Sequence, residues 1–327
     1  MDDDAWWGIE RVTEEIRASA LSEYADVLVQ ELRPSARLVV REAIVDHAEL
    51  GLRSHLGGIP LLPRGIEWPM WDKRDFLQGQ ILRLEEKFEQ DARASGLRDI
   101  AARMRDDLPI GPTPLVFLAQ IFLDELHPSA PVRGWPADGS LAFFCDPSAW
   151  GFDPLTRGHC RVLFVAADER LLPQEAPTGF AGRGSVPGRR ATFQREWTLP
   201  SSARRLDVSI WTNTNYRRLC GRLVRCSGAD EPVHRFGGYP QEIQGSMELE
   251  CQLVSNGIYC GNPDGYKDPR ADALANGADD WRLLLQVDTD DRLGWEWGDA
   301  GRVYFWARQN EIEAGNFERA WSITQCY

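Results

Sequence analysis

The sequence contains few lysines and lacks the short motifs of several enzyme classes. Only three of its 37 basic residues are lysines, namely Lys73, Lys87 and Lys267. None of them stands in the G-x-x-x-x-G-K-[ST] pattern of a phosphate-binding loop. Their polar or charged neighbours also disfavour a Schiff-base lysine, which needs an apolar pocket to lower its pKa. With no G-x-S-x-G and no H-E-x-x-H in the sequence, no catalytic residue is predicted.

Targeting, membrane and metal-binding patterns are missing as well. The acidic start Met1-Asp2-Asp3-Asp4 is unlike a secretory signal, and no apolar run approaches the ~20 residues of a membrane span. The cysteines are seven, an odd number, without a C-x-x-C pair, and none of the His and Cys spacings is typical of zinc. We therefore expect a cytoplasmic protein with free thiols, no membrane partner, no metal and no cofactor.

The composition is that of a folded globular protein with an acidic excess. The 327 residues are 43% hydrophobic and carry 50 acidic against 37 basic side chains. This balance disfavours a nucleic-acid coat protein, because like charges repel phosphate. One segment, residues 181–225, has the opposite sign, with ten arginines from Arg183 to Arg225 and only two acids. It is either a surface for RNA or another acidic partner or, as we favour, a segment that pairs with the acidic remainder.

Three short blocks recur in the same order and predict an internal duplication. LGGIP at 56–60 is echoed by FGGYP at 236–240, FLAQI at 117–121 by LLLQV at 283–287, and DGSLAFF at 138–144 by DAGRVYF at 299–305. Apolar residues at steps of three and four predict an N-terminal helix that ends before Pro34. The same spacing predicts an inserted helix pair within 77–108, broken at Ser95-Gly96.

The remaining periodicity predicts a β-dominated α+β fold. Strand-length apolar or β-branched runs occupy residues 37–44, 115–123, 140–145, 161–166, 282–288 and 302–308. We expect two tandem repeats, each built on an antiparallel sheet, with peripheral helices. The predicted organisation is an N-terminal helix (1–34), repeat one (35–170), a connection (171–200) and repeat two (201–327).

Equivalent polar residues in the two repeats are the first candidate site. Gln120 and Gln286 each interrupt an apolar strand, and a buried amide must satisfy its hydrogen bonds. They either pair across a pseudo-two-fold axis or line a cleft between the repeats. Asp299 follows a glycine and suits a tight turn. Trp297, two residues before it, and Trp68 are the alternative, as parts of an aromatic contact surface.

These blocks resemble the entry and strand motifs of the bacterial YwqG-like proteins. The resemblance rests on LGGIPLLP at 56–63 with Glu67-Trp68-Pro69, on 117–121, on GGYP at 237–240 with Gln244, on 284–287 and on WGDAG at 297–301. It covers about residues 35–327. The family is distantly similar to the eukaryotic programmed cell death protein 2, whose relatives resemble escorts of a ribosomal protein. Some bacterial members resemble neighbours of toxin–immunity loci.

The resemblance implies no catalytic residues and leaves two functions open. One is a non-enzymatic protein-binding module, an escort of a basic client or an immunity-type protein, which the acidic excess suits. The alternative is a small-molecule-binding protein or enzyme with its site between the repeats. The candidate binding residues for that cleft are Gln120, Gln286, Trp68, Trp297, Asp299 and Gln244.

Overall fold

The computed structural model describes residues 8–43, 51–90, 95–126, 134–177, 186–225 and 232–327. These residues contain sixteen strands and nine α-helices. Arg183 and Cys226 lie outside these residues. The helices are α1 (Ile9–Arg17), α2 (Ala25–Glu31), α3 (Arg74–Gln90), α4 (Ser95–Asp106), α5 (Leu123–Leu126), α6 (Thr214–Arg225), α7 (Glu248–Ser255), α8 (Ala271–Leu274) and α9 (Gln309–Glu313).

Ten of the strands form one large antiparallel sheet. The strands in chain order are β1 (Arg33–Ala43), β2 (His55–Leu56), β3 (Leu61–Pro63), β4 (Met70–Trp71), β5 (Thr113–Pro114), β6 (Val116–Phe122), β7 (Ser140–Cys145), β8 (Cys160–Val165), β9 (Leu171–Pro173), β10 (Arg189–Thr198), β11 (Ser202–Ala203), β12 (Val208–Ser209), β13 (His234–Phe236), β14 (Trp281–Asp288), β15 (Arg302–Arg308) and β16 (Trp321–Gln325). The order across the sheet is β16-β15-β14-β13-β1-β10-β2-β6-β7-β8. The other six strands pair as β3 with β9, β4 with β5 and β11 with β12.

The large sheet curls until its two outer strands, β8 and β16, meet. The Ser322 hydroxyl lies 2.7 Å from His159 Nε2 where they come together. In the interior, Phe143 of β7 and Phe305 of β15 meet edge to face, with ring centroids 5.2 Å apart. The near-barrel encloses one apolar core that draws buried side chains from both ends of the sheet. Burial of this shared core is the main force that keeps the sheet curled.

The expectation of two separate sheets, one per repeat, is wrong, because the halves join in a single sheet. Strands β1 and β10 pair along most of their length, from Arg33 opposite Thr198 to Ala43 opposite Arg189. Strand β10 lies within residues 171–200, which we expected to be a connection. Its sequence is rich in arginine, but apolar residues alternate with the polar ones, and Ala191 and Phe193 contact the apolar core.

The two halves of the sheet have matching ladders. His55 of β2 pairs with Gln120 of β6, and Arg235 of β13 pairs with Gln286 of β14. The next ladder is interrupted in both halves, between Phe117 and Ala119 and between Leu283 and Leu285. The two glutamines therefore occupy the same position in their respective strand pairs.

The N-terminal helix expected to run as far as Pro34 is instead two helices, α1 and α2. Ser19 lies between them, and its hydroxyl donates to the Ile16 carbonyl oxygen at 2.7 Å and accepts from Leu21 N at 3.1 Å. A serine that bonds its own backbone competes with helix continuation. Both helices share an apolar cluster with α6, in which Tyr216 and Leu219 are fully buried. The expected pair within 77–108 is present as α3 and α4, but Ser95-Gly96, expected as the break, is the start of α4.

Candidate functional site

Gln120 and Gln286 are fully buried and hold loops of their own halves. Gln120 Oε1 accepts from Leu61 N at 2.7 Å and its Nε2 donates to Leu61 O at 2.8 Å. Gln286 Oε1 accepts from Gln241 N at 2.8 Å and its Nε2 donates to Val233 O at 2.6 Å. Four strands separate β6 from β14 in the sheet, and none of these bonds joins one glutamine to the other.

The two candidate tryptophans lie in the core. Trp68 Nε1 donates to Leu115 O at 2.9 Å, and Trp297 Nε1 donates to Asp288 O at 3.1 Å. Both rings are buried, and they belong to different apolar clusters. Each indole thus has the single acceptor that it needs when buried, and neither presents its face to solvent.

Asp299 and Gln244 are exposed, and their backbones lie near the end of β16. Asp299 O accepts from Tyr327 N at 3.0 Å, and Gln244 N donates to Gln325 Oε1 at 3.0 Å. The structure therefore does not bring the six candidate residues to one cleft. None of them lines either of the two cavities described next.

A cleft of about 400 Å³ opens beside the seam where β10, β1 and β13 join the halves. We call it the seam cleft. Helix α6 forms one wall, and the loop 240–243, which follows the second Gly-Gly-x-Pro block, forms another. Its apolar lining consists of Trp197, Leu199, Ile210, Trp211, Cys220, Leu223, Pro240, Ile243 and the ring of Tyr327.

Polar atoms without partners lie among the lining residues of the seam cleft. Arg235 is 1% exposed; its Nε binds Glu196 Oε1 and its Nη1 donates to Tyr239 O at 2.9 Å. Arg235 Nη2, Glu242 Oε2 and Gln241 Oε1 are buried and find no hydrogen-bond partner within the described residues. A buried polar group without a partner costs about 1–3 kcal/mol, so three such atoms among the lining residues of one cleft are unusual.

The surroundings of Glu242 favour its neutral form. Burial raises the pKa of its carboxyl to about 8, repulsion from Glu248 adds to this shift, and a hydrogen bond from Ser201 opposes it. A carboxyl group with such a pKa remains mostly protonated at neutral pH. Its O–H is then a hydrogen-bond donor rather than an anion.

A second cavity, of about 260 Å³, shares Ser201 and Glu242 with the seam cleft. It is more polar, and the charged side chains along it have both signs. Arg33 lies over the Tyr239 ring, with its guanidinium carbon 4.0 Å from the ring centroid, and Arg205 pairs with Glu31 at 3.4 Å. An ion pair as exposed as Arg205–Glu31 contributes about 0–1 kcal/mol to stability.

The seam cleft was not predicted from the sequence, although two predicted candidates, Gln286 and Gln244, make hydrogen bonds just behind the cleft wall. Gln286 fixes the backbone of Gln241, and Gln325 Oε1 accepts from both Ile243 N and Gln244 N at 3.0 Å. The sequence signal for this cleft was Arg235, a charged residue directly before the FGGYP block at 236–240. Its burial depends on β10, which we expected to be a connection.

Two buried histidines each form a hydrogen-bonded pair with a structural role, His234 with Asp290 and His159 with Ser322. His234 Nδ1 accepts from Asp288 N at 3.2 Å, which assigns the proton to Nε2, 3.1 Å from Asp290 Oδ2. Its lone pair is therefore not available to act as a base. Burial lowers the pKa of His159 to about 4, and its neutral ring accepts a hydrogen bond from the Ser322 hydroxyl at Nε2.

The basic segment forms parts of two elements, β10 and α6. Along α6, Arg217, Arg218 and Arg222 are exposed, whereas Tyr216 and Leu219 are buried. Arg217 Nε donates to Ile210 O at 2.6 Å at the rim of the seam cleft. The helix is thus amphipathic, with an apolar face on α1 and α2 and a cationic face towards solvent.

Two classes of site have no candidates among the described residues. They bring together no group of three or more His, Cys, Asp or Glu side chains that could hold a metal ion. None of their helices has both the length and the hydropathy needed to cross a membrane.

Comparison with known proteins gives a family but no characterised relative. No curated protein matches the chain. A family model matches residues 54–326, which include both Gly-Gly-x-Pro blocks, both buried glutamines and most of the seam cleft. The match begins after β1 and leaves α1 and α2 outside. The chain belongs to the family described as a domain of unknown function (DUF1963).

Proposed function

We propose that this protein is a non-enzymatic binding protein that holds a small, largely apolar molecule in the seam cleft. The observation that carries the proposal is the combination of apolar walls with three buried polar atoms that lack partners. Ligand sites commonly have this composition, with volumes of roughly 300–1,000 Å³. A ligand that supplies the missing partners recovers part of the cost of burying those atoms.

The test uses a substitution that fills the cleft without a clash. Gly221 lies on α6 in the cleft lining, and a Cβ added there meets no atom within 4 Å. Gly221→Phe is therefore expected to occupy the cleft and leave the fold intact. Gly96→Phe is the matched control, because Gly96 is also a helical glycine with open space around it and lies on α4.

The probe is the naphthalene dye 8-anilinonaphthalene-1-sulfonate, whose fluorescence rises in apolar sites. We expect saturable one-to-one binding to the unmodified protein and to Gly96→Phe, and at least tenfold weaker binding to Gly221→Phe. Circular dichroism checks that all three proteins are folded. Equal binding by all three, or no binding by the unmodified protein, would refute the proposed function.

A second function, binding of a basic protein client, is favoured by one acidic segment. Residues 264–299 contain ten acidic and four basic side chains. Asp272, Asp280, Asp291 and Glu296 of this segment are exposed. The resemblance to YwqG-like proteins, and through them to escorts related to programmed cell death protein 2, also supports this role. Complementary charge favours the encounter with a basic partner.

Neutralisation of the four exposed acids tests this second function. We expect affinity purification from the native host at low salt to recover a basic protein in one-to-one ratio. The amide variant at Asp272, Asp280, Asp291 and Glu296 should lose it. The control variant neutralises Glu86, Glu89, Asp99 and Asp106 of α3 and α4. Absence of a stoichiometric partner, or equal loss from both variants, would eliminate the client hypothesis.

We also propose that residues 35–170 and 201–327 are duplicated repeats and that the protein is cytoplasmic. Support for duplication comes from the matching ladders and from the two glutamines, which hold Leu61 and Gln241, each four residues after the first glycine of its block. Support for a reducing compartment comes from the six described cysteines, which are free thiols.

A further inference from the structure

The unpaired atoms of the seam cleft define the charge of the ligand that it can accept. Arg235 Nη2 is a cationic donor, and Glu242, protonated at neutral pH, is a neutral donor. Arg235 Nη1 is tied to Tyr239 O, so the guanidinium is anchored to the start of the loop that carries Glu242. Arg235 of β13 and Glu242 of the loop 240–243 both line the cleft, and two such donors suit the two oxygens of a carboxylate.

The other ionisable side chains of the lining favour an anion as well. Arg217 is a second cation, and its guanidinium is fixed by Ile210 O at 2.6 Å and Trp211 O at 3.3 Å. Burial raises the pKa of Cys220 to about 12, so that its thiol remains neutral. At pH 7 the lining side chains thus include the Arg217 cation and the Arg235 guanidinium, whose charge Glu196 balances, while burial favours the neutral form of Glu242.

The walls determine the rest of the ligand. Leu199, Ile210, Leu223 and Ile243 offer aliphatic surface, and the tryptophans at 197 and 211 offer aromatic surface. Burial of a methylene group against such surface contributes about 0.8 kcal/mol, so a chain of several carbons adds substantial affinity. A short polar anion such as acetate would leave most of the roughly 400 Å³ unfilled.

We infer that the seam cleft binds a monocarboxylate with an apolar tail, whose carboxylate accepts hydrogen bonds from Arg235 Nη2 and from the Glu242 carboxyl group. This inference rests on the proposed function and specifies its ligand class. Gln241 Oε1 is an acceptor and takes no part in holding the carboxylate. The Glu196 carboxylate is paired with Arg235 Nε and balances the guanidinium charge, so that Nη2 contributes an open hydrogen-bond donor.

Three ligands of equal tail length separate charge recognition from burial of the tail. Octanoate, octanamide and octylammonium are titrated into the full chain at pH 7 by calorimetry. We expect octanoate to bind at least tenfold more tightly than octanamide, and octylammonium to bind more weakly than both. Equal affinities for octanoate and octanamide, or a preference for octylammonium, would overturn the inference.

Variants at Glu242 test its role as a donor without disturbing the buried Arg235–Glu196 pair. Glu242→Gln keeps a neutral donor and should bind octanoate within about threefold of the unmodified protein. Glu242→Leu removes the donor and should weaken octanoate at least fivefold while leaving octanamide nearly unchanged. Equal losses for both ligands in Glu242→Leu would count against the inference.

The outcomes for the ligand class and for the proposed function are distinguishable. If Gly221→Phe blocks the dye and all three octyl ligands bind equally, the cleft is a binding site but the carboxylate assignment is wrong. If neither the dye nor any octyl ligand binds, both proposals fail. Octanoate binding that survives in Gly221→Phe would place the ligand elsewhere and overturn both proposals.

Discussion

Gln120 and Gln286 perform the same local task on loops with different consequences. Each amide bonds the backbone four residues after the first glycine of a Gly-Gly-x-Pro block. In the first half the loop continues into β3, at Leu61. In the second half the corresponding residue is Gln241, which lines the seam cleft. The same hydrogen bond therefore supports structure in one half and shapes a cavity in the other.

Substitution of the two glutamines by methionine should separate these effects. Gln286→Met leaves Gln241 N and Val233 O without their partner, and we expect the free energy of unfolding to fall by about 3 kcal/mol. Gln120→Met should cost a similar amount through Leu61. Only Gln286→Met should also weaken dye binding in the seam cleft, by at least threefold. Denaturant titration and fluorescence titration measure the two effects.

The comparison of the two variants is informative because their chemistry is identical. If Gln120→Met weakens dye binding as much as Gln286→Met does, the loss reflects general destabilisation rather than the loop 240–243. If neither changes stability, the buried amides are not the anchors that their hydrogen bonds indicate. The sequence predicted that these amides would be satisfied and left open whether they pair with each other or line a cleft; their backbone partners were not predicted.

Elements with a local apolar signature were predictable, and those that depend on distant partners were not. The expected strands at 115–123, 140–145 and 302–308 correspond to β6, β7 and β15. Each is a continuous run of buried residues, because both of its faces are covered. Such runs can be recognised without knowledge of the rest of the chain.

Strand β10 shows why the seam cleft was not predictable. Its sequence RRATFQREWT mixes charged and aromatic residues, and its place in the sheet comes from pairing with β1, about 150 residues away. Glu196 of this strand is buried by contact with Ser35 and Arg235 from two other strands. The ion pair Glu196–Arg235 and its neighbour Ser35 come from three distant segments, so no one of these segments predicts the buried pair.

At the scale of the whole molecule, β1 and β10 convert two similar halves into one curled sheet. The core is continuous across the seam, since Ala36 and Leu38 of β1 belong to the same apolar cluster as Phe143 and Phe305 from the two halves. The halves are therefore expected to unfold together rather than one after the other. The cleft lies beside this seam. There the loop after the second Gly-Gly-x-Pro block lines a cavity, whereas the corresponding loop of the first half continues into β3.

Buried acids and histidines should give the molecule a stability that falls as pH rises above 6.5. Burial raises the pKa of Glu242 to about 8 and that of Glu250 to about 7, so folding stabilisation present at low pH is lost as pH rises through these values. Burial lowers the pKa of His159 to about 4 and also lowers that of His234, so their contribution is lost as pH falls below 6.5. Between pH 4.5 and 6.5 the two effects oppose each other.

Above pH 6.5 the two glutamates outweigh the remaining histidine contribution among the described groups, and we expect the free energy of unfolding to fall by about 2 kcal/mol between pH 6.5 and 8. Urea denaturation at fixed ionic strength across this range measures the slope. The double variant Glu242→Gln, Glu250→Gln should remove most of the slope, because its amides do not titrate. A stability that stays constant or rises over this range in the unmodified protein would show that Glu242 is ionised. The carboxylate-binding arrangement of the seam cleft would then lose its neutral donor.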